Sequence, residues 1–173
     1  MGGENIKYSF KPVVAAGCRV LVLGSLPGDA SLQAAEYYAH PRNAFWGVIG
    51  RLCGFAPQLP YEERLARLTA AGVGLWDVVG AGVRPGSLDA DIREVQPNDI
   101  PALLREYPDL CMICCNGGTA HRYLKRYYPA LFCRAGLQVV PLPSTSPAAA
   151  RLSFEAKYLA YESAIAPLLR RQA

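Results

Sequence analysis

The 173-residue sequence predicts an α/β protein, a three-layer α/β/α sandwich around a four-stranded, mainly parallel sheet. Three observations support that class. Four short runs rich in Val, Ile, Leu and Cys show little apolar–polar alternation, the pattern of strands buried on both faces. Stretches with helical periodicity separate them, and strands alternating with helices imply parallel pairing. Segments rich in Gly, Pro, Ser and Asn follow each run, as suits loops that bring backbone close to a ligand.

The elements follow in order. The first strand is RVLVLG at 19–24, followed by GSLPGDAS. NAFWGVIGRLCG reads as a helix with Asn43 as N-cap and Gly54 as its stop, and it puts Phe45, Trp46, Ile49 and Cys53 on one face. YEERLARLTAAG brings Leu65 and Leu68 together and ends at Gly72. VGLWDVV at 73–79 is the second strand. NDIPALLREYP opens a helix on Asn98, with Pro101 tolerated in the first turn. LCMICC at 110–115 is the third strand, with the helix TAHRYLKRYYP behind it. LQVVPL at 137–142 is the fourth, and the helix SFEAKYLAYESAIAPLLRR closes the chain. No repeat, low-complexity tract or linker interrupts this order, so residues 1–173 read as one domain.

Composition narrows the class further. With 51% hydrophobic and 18% charged residues, the chain is globular rather than disordered. No apolar run approaches a membrane span, and MGGENIKYSFKP is too polar for a signal peptide, so a cytoplasmic protein is expected. Six cysteines then read as reduced, packed thiols. Only Cys111 and Cys114 have the spacing of a zinc knuckle, and a strand would turn them to opposite faces. No metal and no cofactor are expected. The net charge of +4 is unevenly placed, since residues 115–173 carry eight Lys/Arg against two Asp/Glu. A basic final third suits a polyanionic partner, although it is equally compatible with a solvated face.

In open parallel sheets ligands bind beyond the carboxyl ends of the strands. Site residues should therefore come from GSLPGDAS, WDVVGAG, CNGGTAH and PLPSTSPAAA, together with YYAHPRNAFWGVIG at 37–50. GSLPG lacks the ending of a Walker loop, and no G-x-G-x-x-G is present. Two histidines and no G-x-S-x-G elbow argue against acyl transfer. Ser144, Thr145 and Ser146 are able to grip a phosphate or simply to form a turn. Asp29, Glu36 and Asp77 stand near strand ends as bases or as caps. The amide of Asn43 both donates and accepts, so it suits a fixed water as well as a helix cap.

Three of these segments carry a family resemblance: VLGSLPG, YYAHPRNAFW and LPSTSPA. In this order they resemble the uracil-DNA glycosylase superfamily, and most closely its hypoxanthine-DNA (deoxyinosine) glycosylase branch. The middle segment is also similar to that of mismatch-specific uracil-DNA glycosylases. The resemblance implies a monofunctional DNA glycosylase of base-excision repair, acting as a monomer on double-stranded DNA that contains a deaminated base. Such an enzyme swings the nucleotide out of the duplex and holds its base in a tight pocket. Relatives commonly place a water-orienting Asp or Asn where this chain has Leu26. The deoxyinosine branch implies Asn43 for that role, with Asp29 as the rival. Tyr38 matches the ring that stacks on the base, and Tyr37 a pocket wall. Ser25, Leu26, His40 and Asn116 are the further residues expected at the base, with His40 otherwise shaping the loop and Asn116 otherwise facing a phosphate or forming a turn. Pro27, Gly28, Arg42, Ser144, Thr145, Ser146 and Arg151 match contacts to the DNA backbone or groove, with Arg122, Lys125 and Arg126 adding long-range attraction. A uracil or thymine-mismatch glycosylase and a non-catalytic binder of damaged DNA are the alternatives.

Overall fold

Residues 20–24 alternate the two sides of a buried sheet, and that alternation organises the molecule. In the computed structural model, which describes residues 5–170, Val20 and Val22 enter one apolar cluster and Leu21 and Leu23 the other. A short strand β1 (Ile6–Tyr8) precedes β2 (Val20–Gly24). Helices α1 (Asp29–Ala34), α2 (Phe45–Cys53) and α3 (Tyr61–Ala70) lead to β3 (Val73–Asp77) and β4 (Val79–Val83). Strand β5 (Arg93–Pro97), helix α4 (Ile100–Glu106), strand β6 (Met112–Asn116) and helix α5 (Gly118–Tyr127) follow, then β7 (Gln138–Leu142) and α6 (Phe154–Ile165).

Four strands form the expected parallel sheet, in the order β3-β2-β6-β7. Strand β2 thus lies between the strand that follows it and one from later in the chain. The order reverses there, and a crevice opens where the flanking loops part. The cluster on one face joins β2, β3 and β6 to Phe45, Val48 and Ile49 of α2, Leu68 of α3, and Tyr161 and Ile165 of α6. The cluster on the other face adds Leu103 and Leu104 of α4 and Ala120 and Leu124 of α5. Each fully buried Leu, Ile or Val contributes about 1.5–3 kcal/mol relative to exposure.

Helix ends follow local chemistry. Gly54 ends α2 with φ 79° and ψ 37°, and its N–H donates to the Gly50 carbonyl. Ser153 caps α6 by accepting from the Ala156 N–H at 3.2 Å. Two expected caps are corrected. The N-cap of α2 is Ala44 rather than Asn43, whose Oδ1 instead accepts the Phe45 N–H at 3.0 Å. Asp99 caps α4, accepting from Ala102 at 3.0 Å, while the Asn98 amide donates to the Asp77 carbonyl at 2.8 Å. An Asp one residue nearer the helix reaches its free N–H groups, which releases Asn98 to tie two strands.

The apolar run at 73–79 is not one strand. Strand β3 ends at Asp77, the N–H groups of Val78 and Val79 donate to the carbonyls of Gly24 and Ser25, and the chain then leaves the sheet as β4. With β1 and β5 it forms a second, antiparallel sheet of order β1-β4-β5. An uninterrupted apolar run carries no mark of a change of sheet. Nor is β7 buried on both faces, because Gln138 and Pro141 are exposed.

The cysteines are free thiols: Cys18, Cys114 and Cys115 are buried, Cys53 and Cys111 half-buried. Cys133 departs from the expectation of a packed thiol, being exposed on the turn after α5. Among the described residues, no helix is long and apolar enough to cross a membrane.

Candidate active site

The carboxyl ends of the four parallel strands surround a cavity of about 330 Å³. Gly24, Asp77 and Asn116 close β2, β3 and β6, and residues 144–149 come from the loop after β7. Tyr38, His40 and Asn43 reach it from the loop between α1 and α2.

That loop is built on aromatic packing. The Tyr38 ring stacks on Phe45 with centroids 4.0 Å apart and planes at 23°, and Phe45 meets Trp46 edge-on at 5.0 Å. Trp46 Nε1 donates to the Tyr37 carbonyl at 2.9 Å, and the Tyr37 ring meets Phe10 edge-on at 5.2 Å. The crowding of aromatics at 37–46 is thus a buttress, with Phe45 and Trp46 in the core and Tyr38 at its cavity end. Tyr38 holds a left-handed backbone, φ 55°, costing on the order of 1–3 kcal/mol in a non-glycine residue. Its hydroxyl is buried without a hydrogen-bond partner among the described residues. Burial, and then the charge of Asp77, drives this phenol well above its ordinary range.

Asn43 sits where a fixed amide is useful. Its own N–H donates to the His40 carbonyl at 2.9 Å, and the Ala44 N–H donates to the Thr145 carbonyl at 3.0 Å, tying this loop to the one after β7. With Oδ1 accepting from Phe45, the side chain is oriented yet keeps a second lone pair and its amide hydrogens. His40 Nδ1 accepts from the Arg42 N–H at 3.1 Å, which leaves Nε2 as the ring nitrogen free to donate.

Asp29 lines the same cavity but makes a poor base. Lys7 Nζ lies 2.5 Å from its Oδ1, and that hydrogen bond holds the carboxyl below its ordinary value. A carboxylate stabilised as an anion takes up a proton less readily. Glu36 faces Arg64 at 3.6 Å and is outside the cavity lining.

The remaining expected residues divide into three groups. Leu26, Pro27 and Gly28 form one wall; Leu26 and Pro27 are buried, and the Pro27 carbonyl accepts from the fully buried Arg84. The Ser25 hydroxyl donates to Asp89 at 2.6 Å. Asn116 is bound to Thr145 twice: Nδ2 donates to Oγ1 and Oδ1 accepts the Thr145 N–H, each at 2.9 Å. Thr145 is accordingly only 1% exposed, which corrects its expected role at the DNA backbone. Its hydroxyl faces inward because it saturates a buried amide. Ser144 and Ser146 stay at the rim, each hydroxyl accepting a loop N–H two residues on at 3.2 Å. Both keep a hydrogen to donate. Arg42 and Arg151 are exposed and lie outside the cavity lining.

Two parts of the site did not emerge from sequence reasoning. Ser87, Leu88 and Asp89, between β4 and β5, form a further wall, fastened by the Asp29 N–H donating to Ser87 Oγ at 2.9 Å. The segment RPGSLDAD has the same loop chemistry as the four strand-end segments, but no apolar run marks the second sheet that delivers it. The other is Asp77, read only as one of three carboxylates near strand ends. Its side chain is 4% exposed, and burial pushes its carboxyl up to about 7, with the Ser9 hydrogen bond opposing that rise.

Comparison with known proteins places this geometry. A family model described as the Uracil DNA glycosylase superfamily matches residues 12–166. The chain belongs to that superfamily. Within it, the chain is 38% identical over 149 residues to a hypoxanthine DNA glycosylase of Methanosarcina acetivorans, covering 86% of this chain and 91% of that protein. A hypoxanthine DNA glycosylase of Methanosarcina barkeri is 38% identical over 118 residues, or 68% of this chain and 75% of that one. The solution NMR structure of a candidate uracil DNA glycosylase from Methanosarcina acetivorans superposes with a TM-score of 0.81 at 36% identity, covering 94% of this chain and 98% of the other. The four-stranded parallel sheet and its flanking helices are therefore a fold shared with the superfamily.

Proposed function

We propose that this superfamily member is a monofunctional DNA glycosylase that excises a deaminated base, hypoxanthine in deoxyinosine foremost, from duplex DNA. The observation that carries the reading is convergence: Asn43 and Tyr38, from one loop, line the same cavity at the switch point of the sheet. A binder of damaged DNA needs the ring but has no use for an oriented amide beside it.

The residues then take roles that their geometry allows. An extruded base loses stacking, and an aromatic face returns about 1–3 kcal/mol. Tyr38 offers its cavity-side face, with Phe45 holding the other. Water held at the Asn43 amide attacks C1′, the C1′–N9 bond breaks with its electron pair going to the base, and the water proton follows to the departing base. Negative charge gathers on that base, and His40 and the remaining Asn116 amide hydrogen are donors available in the cavity lining. No lysine lines the cavity among the described residues, so hydrolysis, rather than a Schiff-base step, leaves an abasic site. Ser144 and Ser146 at the rim meet phosphates, and exposed Arg42 and Arg151 contact the backbone farther out.

The test is excision from labelled duplexes carrying deoxyinosine, deoxyuridine or deoxyxanthosine, with abasic sites revealed by alkali. Cleavage of the inosine strand supports the reading. Cleavage confined to uracil strands moves the substrate to a pyrimidine, and binding with no cleavage of any strand overturns the enzyme.

A further inference from the structure

The mechanism leaves a buried carboxyl without work. Asp77 closes β3 opposite Gly24 of β2, and its side chain lines the cavity. Oδ2 accepts the Ser9 hydroxyl at 3.2 Å, while Oδ1 has no donor among the described residues. A buried carboxylate with an unmet acceptor is costly, and natural sites retain such groups for use. Gly24 makes the room: a Cβ there would lie 2.6 Å from Asp77 Oδ1 and 3.2 Å from the Tyr38 hydroxyl. Several other polar groups near the cavity are engaged. The Asn116 oxygen holds the Thr145 N–H, the Ser25 hydroxyl is given to Asp89, and Arg84 serves the Pro27 carbonyl. Asp77 Oδ1 is an open acceptor beside the stacking ring.

Deamination creates a group that such an acceptor reads. Adenine carries a lone pair at N1, whereas hypoxanthine carries N1–H beside the new carbonyl. Cytosine and uracil differ in the same way at N3. We propose that Asp77 is the specificity-determining residue of the site, its Oδ1 accepting the lactam N–H of a deaminated base and repelling the lone pair of adenine or cytosine. The proposal rests on the glycosylase reading and sharpens it. A site built to bind a donor discriminates against a ligand lacking it by about 10⁴-fold or more. Because burial raises this carboxyl to about 7, the charged acceptor is fully formed only above neutrality. The groups facing it are the Tyr37 and Tyr38 phenols, Asp89, Arg84 and the Ser9 hydroxyl.

Two measurements on the full chain decide the matter. The first is single-turnover excision by wild type and Asp77→Asn from deoxyinosine and deoxyadenosine duplexes at pH 8. The amide keeps the shape and can still accept from Ser9, but its N–H faces N1. Loss of about 10²-fold or more on deoxyinosine, with the preference over deoxyadenosine shrinking, is expected. An unchanged preference overturns the assignment while leaving the glycosylase intact. The second needs neither catalysis nor a variant: calorimetric binding of free hypoxanthine against free adenine between pH 5.5 and 8. The wild-type preference for hypoxanthine should rise through about 7, and a flat profile overturns the proposal. A rising preference without any excision would sustain Asp77 and sink the enzymatic reading instead.

Discussion

Replacing Asp77 by Asn should stabilise the fold in a pH-dependent way. In the folded protein this carboxyl titrates near 7 instead of 3.8, chiefly because it is sealed from water. A raised acid favours the protonated native state. The penalty for ionising it is therefore absent below about 4, grows as pH rises, and is complete above about 7. Each pH unit is worth about 1.36 kcal/mol, so the full penalty is on the order of 4 kcal/mol, of which about 1.5 is already present at pH 5. Asn is neutral throughout and preserves the Ser9 contact. Urea unfolding of both proteins at pH 5 and pH 8 would measure this, since every other group titrates alike in the two and cancels in the difference. The stability advantage of Asp77→Asn should widen by about 2.5 kcal/mol between those pH values. A constant advantage, or none, would mean that the carboxylate is solvated in the folded protein. The reasoning about its burial would then fail.

Other substitutions test neighbouring parts of the site. Asn43→Ala should slow single-turnover excision by about 10²–10³-fold with DNA binding retained, as gel-shift titration beside the kinetics would show. Asn116→Ala leaves both the Thr145 N–H and its hydroxyl unmatched, so it should cost about 2–3 kcal/mol in denaturant unfolding, and more than Thr145→Val. Gly24→Ala drives a methyl into Asp77 Oδ1 and the Tyr38 hydroxyl, and a loss of about 1–3 kcal/mol with impaired excision is expected. Arg126→Ala on the exposed face of α5 should weaken DNA binding and lower the slope of log affinity against log salt by up to about one, leaving the saturated excision rate unchanged.

The apolar runs marked the parallel sheet because burial on both faces leaves few polar positions, and its strands fell close to their expected places. The resemblance of residues 37–46 to a known family marked the aromatic loop, and both Tyr38 and Asn43 do line the cavity. Periodicity is silent where one apolar run serves two sheets: 73–79 has the pattern of a single strand, which conceals β4 and its partners. The wall at Ser87–Asp89 was lost with it. Spacing also could not say that Thr145 turns inward, because that depends on Asn116, far away in sequence and 2.9 Å away in space.

What the sequence alone determined is which segments form the parallel sheet and the helices around it: apolar runs, periodicity and turn chemistry are local properties, written residue by residue. Only the tertiary structure decided which polar groups are already satisfied. Asn116 and Asp29 resemble Asp77 in chemical type, yet a threonine engages the first and a lysine the second, while Asp77 keeps one oxygen open. Hydrogen-bond saturation is a pairwise property of groups distant along the chain, and it separates a structural brace from a group left free to meet a substrate.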